Sequence, residues 1–198
     1  MNYFVLSNPR SGTHLLLYIL GSNYMTNMSH SHPNISILNK IKKYKPIIIY
    51  RDFKDVSISW WKALNETLVK GGGKYYKNDV KVCNLTDFIF EHKLYISKET
   101  MNPIDYWKNY IIEWRKYDKE MLVVRYENLL TNYDKQIKII EDYLGEEVVC
   151  KSLPSINEVK MSRKGIIGDH KNYMDQELID EINELCKDEI LYIDSFLI

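Results

Sequence analysis

The first 20 residues contain an apolar run, a turn of small and polar residues and a second apolar run, and this order constrains the fold most strongly. Residues 3–6 predict a buried strand, and residues 15–20 predict a helix that follows directly. Where a tight turn connects a strand to a helix, free backbone N–H groups and the positive end of the helix point towards one place. The turn therefore predicts an anion-binding site, to which Arg10 adds a charge: Ser7, Asn8, Pro9, Arg10, Ser11, Gly12, Thr13 and His14. Ser, Gly and Thr could also serve there only as turn and cap residues.

A second segment, at residues 163–172, also has the composition of an anion-binding site. Arg163 and Lys164 supply two adjacent positive charges, which can neutralise a phosphate. Gly165 and Gly168 allow the backbone to fold closely around such a group. Two anion-binding segments so far apart in the sequence predict a ligand that carries two anionic groups.

The alternation of apolar runs with helical patterns predicts the fold class. Residues 3–6, 46–50 and 121–125 are typical of buried parallel strands, and each run is followed by helical periodicity. This alternation predicts a three-layer α/β domain, with a central parallel sheet flanked by helices and right-handed crossovers. Helices are predicted to begin near Lys54, to end at Gly145 after periodic residues 137–144, and to cover 85–96, 104–117 and 176–187, with Asn84, Pro103 and Asp175 as starting signals.

Length, charge and cysteine content limit the kinds of protein that this chain can be. The 198 residues, 45% of them hydrophobic, suffice for a single domain, 1–198, with a substantial core. Because 27 basic residues balance 27 acidic ones, neither nucleic acid nor an anionic membrane is expected as a partner. No apolar run approaches the roughly 20 residues of a membrane span, and no secretory signal is recognisable. The three cysteines lack metal-ligand spacing and predict free thiols in a reducing compartment, so we expect a cytoplasmic protein.

Arg51 and Ser59 extend the candidate site to the second predicted strand. Arg51 stands at the carboxyl end of that strand, and Ser59 lies two turns into the following helix. In an open parallel sheet this edge is where ligands bind. An arginine at a strand end is also often a solvated surface charge. The turn at residues 7–14 lacks the G-x-x-x-x-G-K-[ST] spacing of nucleoside triphosphatases, which argues against that class.

Taken in order, these motifs resemble those of the sulfotransferases that use 3′-phosphoadenosine 5′-phosphosulfate (PAPS) as sulfuryl donor. The similarity covers most of the chain and implies a compact member with the P-loop nucleotide-kinase-like fold of that family. Residues 9–13, Pro-Arg-Ser-Gly-Thr, resemble the loop that binds the phosphosulfate, and residues 163–165, Arg-Lys-Gly, resemble the loop that closes over the 3′-phosphate. Residues 168–172 read Gly-Asp-His-Lys-Asn where the family has Gly-Asp-Trp-Lys-Asn.

The resemblance also implies the ligand contacts of individual residues. It implies Arg10, Ser11, Gly12 and Thr13 at the 5′-phosphosulfate, Arg51, Ser59, Arg163, Lys164 and Gly165 at the 3′-phosphate, and Tyr126 at the adenine. His14 follows directly in the loop, where it could contact the donor or the acceptor, or only cap the helix. Trp107, Tyr110 and Trp114 match the spacing of a Trp-His-Trp helix beside the acceptor pocket. The same i, i+3, i+7 spacing is equally typical of core residues.

Catalysis, by the same resemblance, needs a charge at the phosphosulfate and a base for the acceptor. Arg10, where many members have Lys, stays charged and cannot donate a proton, so we expect it to stabilise the leaving group by charge alone. His30 and His32 are the candidates for the base, because both lie in a segment similar to the family's Thr-His-x-Pro element. Ordinary loop histidines or a His-x-His metal pair are the alternatives. No cluster of carboxylates is visible and PAPS carries its own leaving group, so no metal is required.

These motifs predict an enzyme that transfers a sulfuryl group from PAPS to a hydroxyl, or an amine, and releases 3′-phosphoadenosine 5′-phosphate (PAP). A nucleoside or nucleotide kinase-like phosphotransferase is a second hypothesis, because such enzymes share this architecture. A non-catalytic PAP-binding protein is a third. The acceptor is expected to be a small molecule, glycan or peptide in an open pocket formed by residues 14–40, the glycines at 71–73 and the helix at 107–114. Residues 70–82 lack periodicity and predict a mobile loop or lid.

Overall fold

The computed structural model describes residues 3–21, 28–29, 45–69, 83–96, 99–116, 120–155, 158–159 and 165–196. These ranges contain both strands and helices. The strands are β1 (Tyr3–Ser7), β2 (Met28–Ser29), β3 (Lys45–Tyr50), β4 (Leu94–Ile96), β5 (Glu99–Met101) and β6 (Leu122–Arg125). The helices are α1 (Thr13–Ile19), α2 (Phe53–Val69), α3 (Leu85–Phe90), α4 (Pro103–Arg115), α5 (Tyr126–Thr131), α6 (Tyr133–Leu144), α7 (Gln176–Leu185) and α8 (Lys187–Asp194), with a short 3₁₀ helix at Asp169–Asn172 before α7.

The central sheet is parallel throughout its described part. Its strands lie in the order β2-β1-β3-β6, and Val5 of β1 pairs with Ile47 of β3. Parallel neighbours need crossover connections, and helices supply them between β1, β3 and β6. Because these strands run in the same direction, they end at one edge of the sheet. The chain continues there with the turn after Ser7, with Arg51 and with Tyr126.

The residues of the strands alternate between two hydrophobic layers. One layer packs Leu6 and Ile48 against α2, α3, α4, α7 and α8. The other packs Val5 and Ile49 against α1, α5 and α6. The sheet is therefore buried on both faces, which explains why its strands are continuous apolar runs in the sequence.

The predicted strands and several predicted helix ends are confirmed within one or two residues. Asn84 starts α3 by accepting the N–H of Asp87 at 2.8 Å, and Asp175 starts α7 by accepting the N–H of Leu178 at 2.9 Å. Gly145 ends α6 with a φ of 76°, the left-handed conformation that glycine adopts without steric penalty. The local stop and start signals are therefore reliable in this chain.

Two helix predictions need correction. The helix predicted for 85–96 is wrong in its second half, because it ends at Phe90 and Leu94–Ile96 pairs antiparallel with β5. A short run with few apolar residues is compatible with either a helix or a strand, and residues 94–96 form a strand because they pair with β5. The pattern predicted for 176–187 continues, after a break at Cys186, as the additional helix α8.

Both hydrophobic layers share the central sheet, which supports the single domain predicted for residues 1–198; that division stays a prediction. Among the described residues, no helix combines the length and the apolar character needed to cross a membrane. The loop predicted for residues 70–82 lies outside the described ranges.

Candidate active site

The turn between β1 and α1 has an unusual backbone conformation. Arg10 and Gly12 have φ angles of 68° and 96°, in the left-handed region that residues with a side chain rarely adopt. The hydroxyl oxygens of Ser7 and Thr13 lie 2.5 Å apart and close the turn. A non-glycine residue in this region costs about 1–3 kcal/mol, and such strain is concentrated at functional sites. The conformation of Arg10 therefore indicates a functional constraint.

Gly12 allows the ring of Tyr126 to lie directly against the turn. A Cβ atom at position 12 would lie 2.3 Å from Cδ2 and 2.8 Å from Cε2 of Tyr126, which is too close for any side chain. The same ring contacts the guanidinium of Arg51, whose Cζ lies 4.6 Å from the ring centroid in a cation–π interaction. Tyr126 therefore joins the turn after β1 to the cation after β3.

Glu127 fixes the position of Tyr126 by accepting hydrogen bonds near two strand ends. Its Oε1 accepts from the N–H of Asp52 at 3.1 Å, and its Oε2 accepts from Nε of Arg125 at 3.3 Å. Burial raises the pKa of Glu127, although the hydrogen bond from the N–H of Asp52 and the charge of Arg125 act in the opposite direction. The ends of β3 and β6, and with them Arg51 and Tyr126, are thereby held at a fixed separation.

Arg10 reaches from the turn to helix α2. Its Nε donates a hydrogen bond to Oγ of Ser59 at 3.2 Å. The sequence motifs assign Arg10 to the reacting end of the donor and Ser59 to the 3′-phosphate end. The structure brings these two side chains into direct contact, so the two predicted subsites adjoin each other.

Arg51 is buried and contacts the segment that follows Gly165. Its Nη2 donates to the carbonyl oxygen of Ile166 at 2.9 Å and lies 3.7 Å from Oδ2 of Asp55. Only 7% of Arg51 is exposed, which rules out a solvated strand-end charge. Gly165 has a φ of 62°, again in the left-handed region. The predicted residues Arg51 and Gly165 therefore lie on neighbouring segments.

Asp55 accepts three hydrogen bonds from the region of the 3₁₀ helix. Its Oδ2 accepts from the N–H of Gly168 at 2.7 Å, and its Oδ1 accepts from the N–H and Nδ1 of His170 at 3.1 and 2.7 Å. Burial by itself would raise the pKa of Asp55, but the hydrogen bonds from His170 and Gly168 and the charge of Arg51 lower it below the usual value. Because an ionised carboxylate only accepts, Nδ1 of His170 carries the proton.

Several polar atoms at this edge are buried and have no hydrogen-bond partner among the described residues. They are Nδ2 and Oδ1 of Asn8, Oγ of Ser11 and Nε of Arg51. A buried polar atom without a partner costs about 1–3 kcal/mol, so these atoms fit a polar or anionic ligand. PAPS, which is anionic at both ends, meets this requirement, because Ser11 and Arg51 can both donate to phosphate oxygens.

The aromatic residues predicted at the acceptor pocket are buried in the structure. Trp107, Tyr110 and Trp114 are each 1–2% exposed. Trp107 packs against Phe53 with ring centroids 5.6 Å apart, and Tyr110 packs against Trp114 at 4.6 Å. These contacts support the interpretation of the three side chains as core residues, one of the two alternatives that their sequence spacing left open. Their contact with an acceptor stays a prediction.

Four predicted site residues lie outside the described ranges: His30, His32, Arg163 and Lys164. His14 is partly buried in the first turn of α1. Within the part of the chain that the structure describes, no group of three or more His, Cys, Asp and Glu side chains is placed to hold a metal ion. The roles of these residues, and the expectation that no metal is required, stay predictions.

One polar residue of the site, Asp55, is absent from the residues assigned to it by sequence. It lies four residues after Arg51, and this helical spacing is a signal that the two side chains can meet. Asn8 belongs to the predicted turn, but the sequence does not show that its amide is buried, because a residue just after a strand can face either layer. Burial and missing partners become visible only in the folded protein.

Comparisons with known proteins agree on one family. A family model described as a sulfotransferase domain matches residues 25–192. Mouse sulfotransferase SULT7A1 in complex with PAP is similar in structure, with a TM-score of 0.60 and 19% identity over 95% of this chain and 84% of that chain. Retinol dehydratase in complex with androsterone and the inactive cofactor PAP has a TM-score of 0.52 and 18% identity over 77% of this chain and 49% of that chain.

No curated protein matches the sequence significantly. The family model begins at residue 25, after the turn at residues 7–14, and so does not cover the turn. At these identities the solved structures establish the fold. They confirm the three-layer α/β fold with a central parallel sheet that the sequence predicts.

Replacing Gly12 with Ala is expected to destabilise the protein by about 3 kcal/mol, from backbone strain of about 1–2 kcal/mol and a clash with Tyr126 of about 1–3 kcal/mol. In a Tyr126→Ala background the clash with the ring is gone, and a new Cβ would lie 3.2 Å from Cδ1 of Ile49, an end atom that can shift. The same change should then cost about 1–2 kcal/mol, which is the backbone strain. Urea denaturation of the wild type, both single variants and the double variant measures these values. Equal costs in the two backgrounds would show that the ring does not approach Gly12 as described.

Replacing Asp55 with Asn is expected to lower the free energy of unfolding at pH 7 by about 2 kcal/mol, because the charged acceptor of three hydrogen bonds is lost. The pKa of Asp55 is lower in the folded protein than in the unfolded chain. The contribution of Asp55 to the free energy of unfolding is therefore complete above about pH 5, and it is lost as the pH falls through the pKa of the folded state. Urea denaturation at a series of pH values should show the difference between wild type and variant shrinking below about pH 5.

Asp142→Asn is the matched control for this measurement. The side chains of Asp142 and Lys138 form an ion pair at 3.3 Å but are 67% and 76% exposed. This variant should differ from the wild type by less than about 0.5 kcal/mol at every pH. A difference between Asp55→Asn and wild type that stays constant into strong acid would refute the lowered pKa of Asp55.

Proposed function

Because the chain belongs to the sulfotransferase family, we propose that it transfers a sulfuryl group from PAPS to an acceptor hydroxyl or amine and releases PAP. The PAP in two structures of similar fold supports this choice of donor. The observation that carries the proposal is the contact of the Tyr126 ring with both Gly12 and Arg51. This contact joins the turn proposed for one end of the donor to the cation proposed for the other.

The proposed donor site has two anionic ends and an adenine contact. The buried hydroxyl of Ser11 and the buried Nε of Arg51, which have no partner among the described residues, support one anion at each end. The full set is Arg10, Ser11, Gly12, Thr13 and His14 for the 5′-phosphosulfate, Arg51, Ser59, Arg163, Lys164 and Gly165 for the 3′-phosphate, and Tyr126 for the adenine.

PAPS supplies a sulfuryl group that is already attached to a leaving group. In an in-line displacement the acceptor oxygen forms a bond to sulfur while the bond from sulfur to the bridging oxygen breaks, and the electron pair leaves with PAP. Arg10 stabilises the negative charge on the bridging oxygen, a contribution of roughly 3 kcal/mol for one such donor. A guanidinium keeps its proton near neutral pH, so Arg10 acts by charge and not by proton transfer. No step of this scheme requires a metal.

The proton of the acceptor goes to a base, for which we propose His30 or His32. An imidazole is suited to this task because its usual pKa lies close to neutral pH. His170 is a poor candidate, since it is buried and its Nδ1 proton is donated to Asp55. The choice between His30 and His32 lies outside the described residues.

We further propose a hydroxyl-bearing acceptor, which can be a small molecule, a glycan or a peptide. The androsterone in the retinol dehydratase complex supports a small hydroxyl compound as one possibility for this fold. Trp107, Tyr110 and Trp114 are proposed to support the wall of the acceptor pocket. A cytoplasmic location is also proposed, because the three cysteines are free thiols.

Incubation with isotopically labelled PAPS and a panel of phenols, sterols, sugars, amines and peptides tests the function. Mass spectrometry should find an acceptor that carries the labelled sulfuryl group, together with an equal amount of PAP. Parallel reactions with ATP and Mg²⁺ are the control. A phosphorylated product from ATP, or tight binding of PAP with no transfer to any acceptor, would count against the proposal.

Replacing Arg10 with Ala is expected to lower kcat by about 10²–10³-fold, because the charge on the bridging oxygen loses its stabilising donor. The affinity for PAP should change by less than about tenfold, since Arg51 and its neighbours hold the other end. Arg10→Lys is the matched control and should retain more of the activity, because it keeps the positive charge. Steady-state kinetics and calorimetric titration with PAP measure the two effects, and an unchanged kcat in Arg10→Ala would exclude the role of Arg10.

A further inference from the structure

Asp55 connects Arg51 with the segment that follows Gly165. Its carboxylate oxygens accept the N–H of Gly168 and both the N–H and Nδ1 of His170, at 2.7–3.1 Å. Its Oδ2 also lies 3.7 Å from Nη2 of Arg51. One buried carboxylate thus restrains both the segment and the guanidinium.

Arg51 completes this arrangement from its own side. The Nη2 that faces Asp55 also donates to the carbonyl of Ile166 at 2.9 Å. The segment is therefore bound to the carboxylate and to the guanidinium at once. Nε of Arg51 is buried and has no hydrogen-bond partner within the described ranges, which leaves it available to a further acceptor.

The ring of His170 adds a hydrogen bond that the backbone cannot supply. Its Nδ1 lies 2.7 Å from Oδ1 of Asp55, a length typical of a hydrogen bond to a charged group. Asp55 and His170 are only 2% and 7% exposed, so water competes little for this bond. Its loss would loosen residues 166–170 without touching the turn that carries Arg10.

We infer that Asp55 and His170 are positioning residues for the 3′-phosphate of the donor. They hold Arg51 and the segment after Gly165 in a fixed relation, so that Nε of Arg51 is presented to an anion. The inference rests on the proposed function, because only a donor with a 3′-phosphate supplies that anion. Its consequence is selectivity for nucleotides with a 3′-phosphate over those with a free 3′-hydroxyl.

Replacement of His170 with Asn or with Gln, whose side-chain amides differ in length, distinguishes the positioning role from a general contribution to folding. The amide nitrogen of Asn takes the place of Nδ1, whereas that of Gln lies near the position of Nε2. We expect His170→Asn to keep its affinity for PAP within about twofold, and His170→Gln to lose about tenfold. The affinity for adenosine 5′-monophosphate (AMP), which lacks the 3′-phosphate, should be unchanged in both variants. Isothermal titration calorimetry with PAP and AMP measures these values, and AMP binding reports that each variant is folded.

Lys62→Met is the matched control, because Lys62 lies on α2 and contacts the same short 3₁₀ helix through Asp169. Lys62 contacts Asp169 at 3.5 Å and takes no part in the contacts of Asp55 described above, so this variant should keep the ratio of PAP to AMP affinity. Equal losses for PAP and AMP in His170→Gln, or no loss for either, would overturn the positioning role. If the wild type itself binds PAP no more tightly than AMP, the proposed donor is wrong. Those two failures are therefore distinguishable.

Discussion

The common direction of β1, β3 and β6 is the constraint on which the site depends. Parallel strands end at the same edge of a sheet, so segments far apart in the sequence bring Arg10, Arg51 and Tyr126 together. Both faces of the sheet are buried, and a shift of one residue along a strand would move its apolar side chains into the wrong layer. The distance between the turn after β1 and Arg51 after β3 is therefore set by the core of the protein.

The chain has no formal net charge, and the buried guanidinium of Arg51 is compensated by its immediate neighbours. An isolated guanidinium as buried as that of Arg51 would be strongly unfavourable. Asp55, the ring of Tyr126 and the carbonyl of Ile166 compensate it in the folded protein. The hydrogen bonds from His170 and Gly168 in turn keep Asp55 ionised. Arg51 is thus held in place by groups of the protein itself, while its Nε lacks a hydrogen-bond partner among the described residues.

Local patterns predict most of the fold, because the apolar runs at 3–6, 46–50 and 121–125 are typical of strands in a sheet that is buried on both faces. Leu94–Ile96 shows the limit of such patterns, because its strand state depends on a partner strand that periodicity does not reveal. The same limit applies to the site. The turn and Arg51 belong to recognisable sequence motifs. Asp55 and His170 are 115 residues apart in the sequence, and only the fold shows that they are in contact.

The left-handed backbone conformation of Arg10 lowers stability at a position whose charge is proposed to be needed for activity. Glycine or asparagine adopts this conformation with less strain, so either would relax the turn while removing the charge. A library selected only for resistance to heat would therefore tend to discard Arg10, and a library selected for turnover would tend to retain it. Engineering of a more robust form of this protein should hold position 10 constant and seek its gains in the two hydrophobic layers.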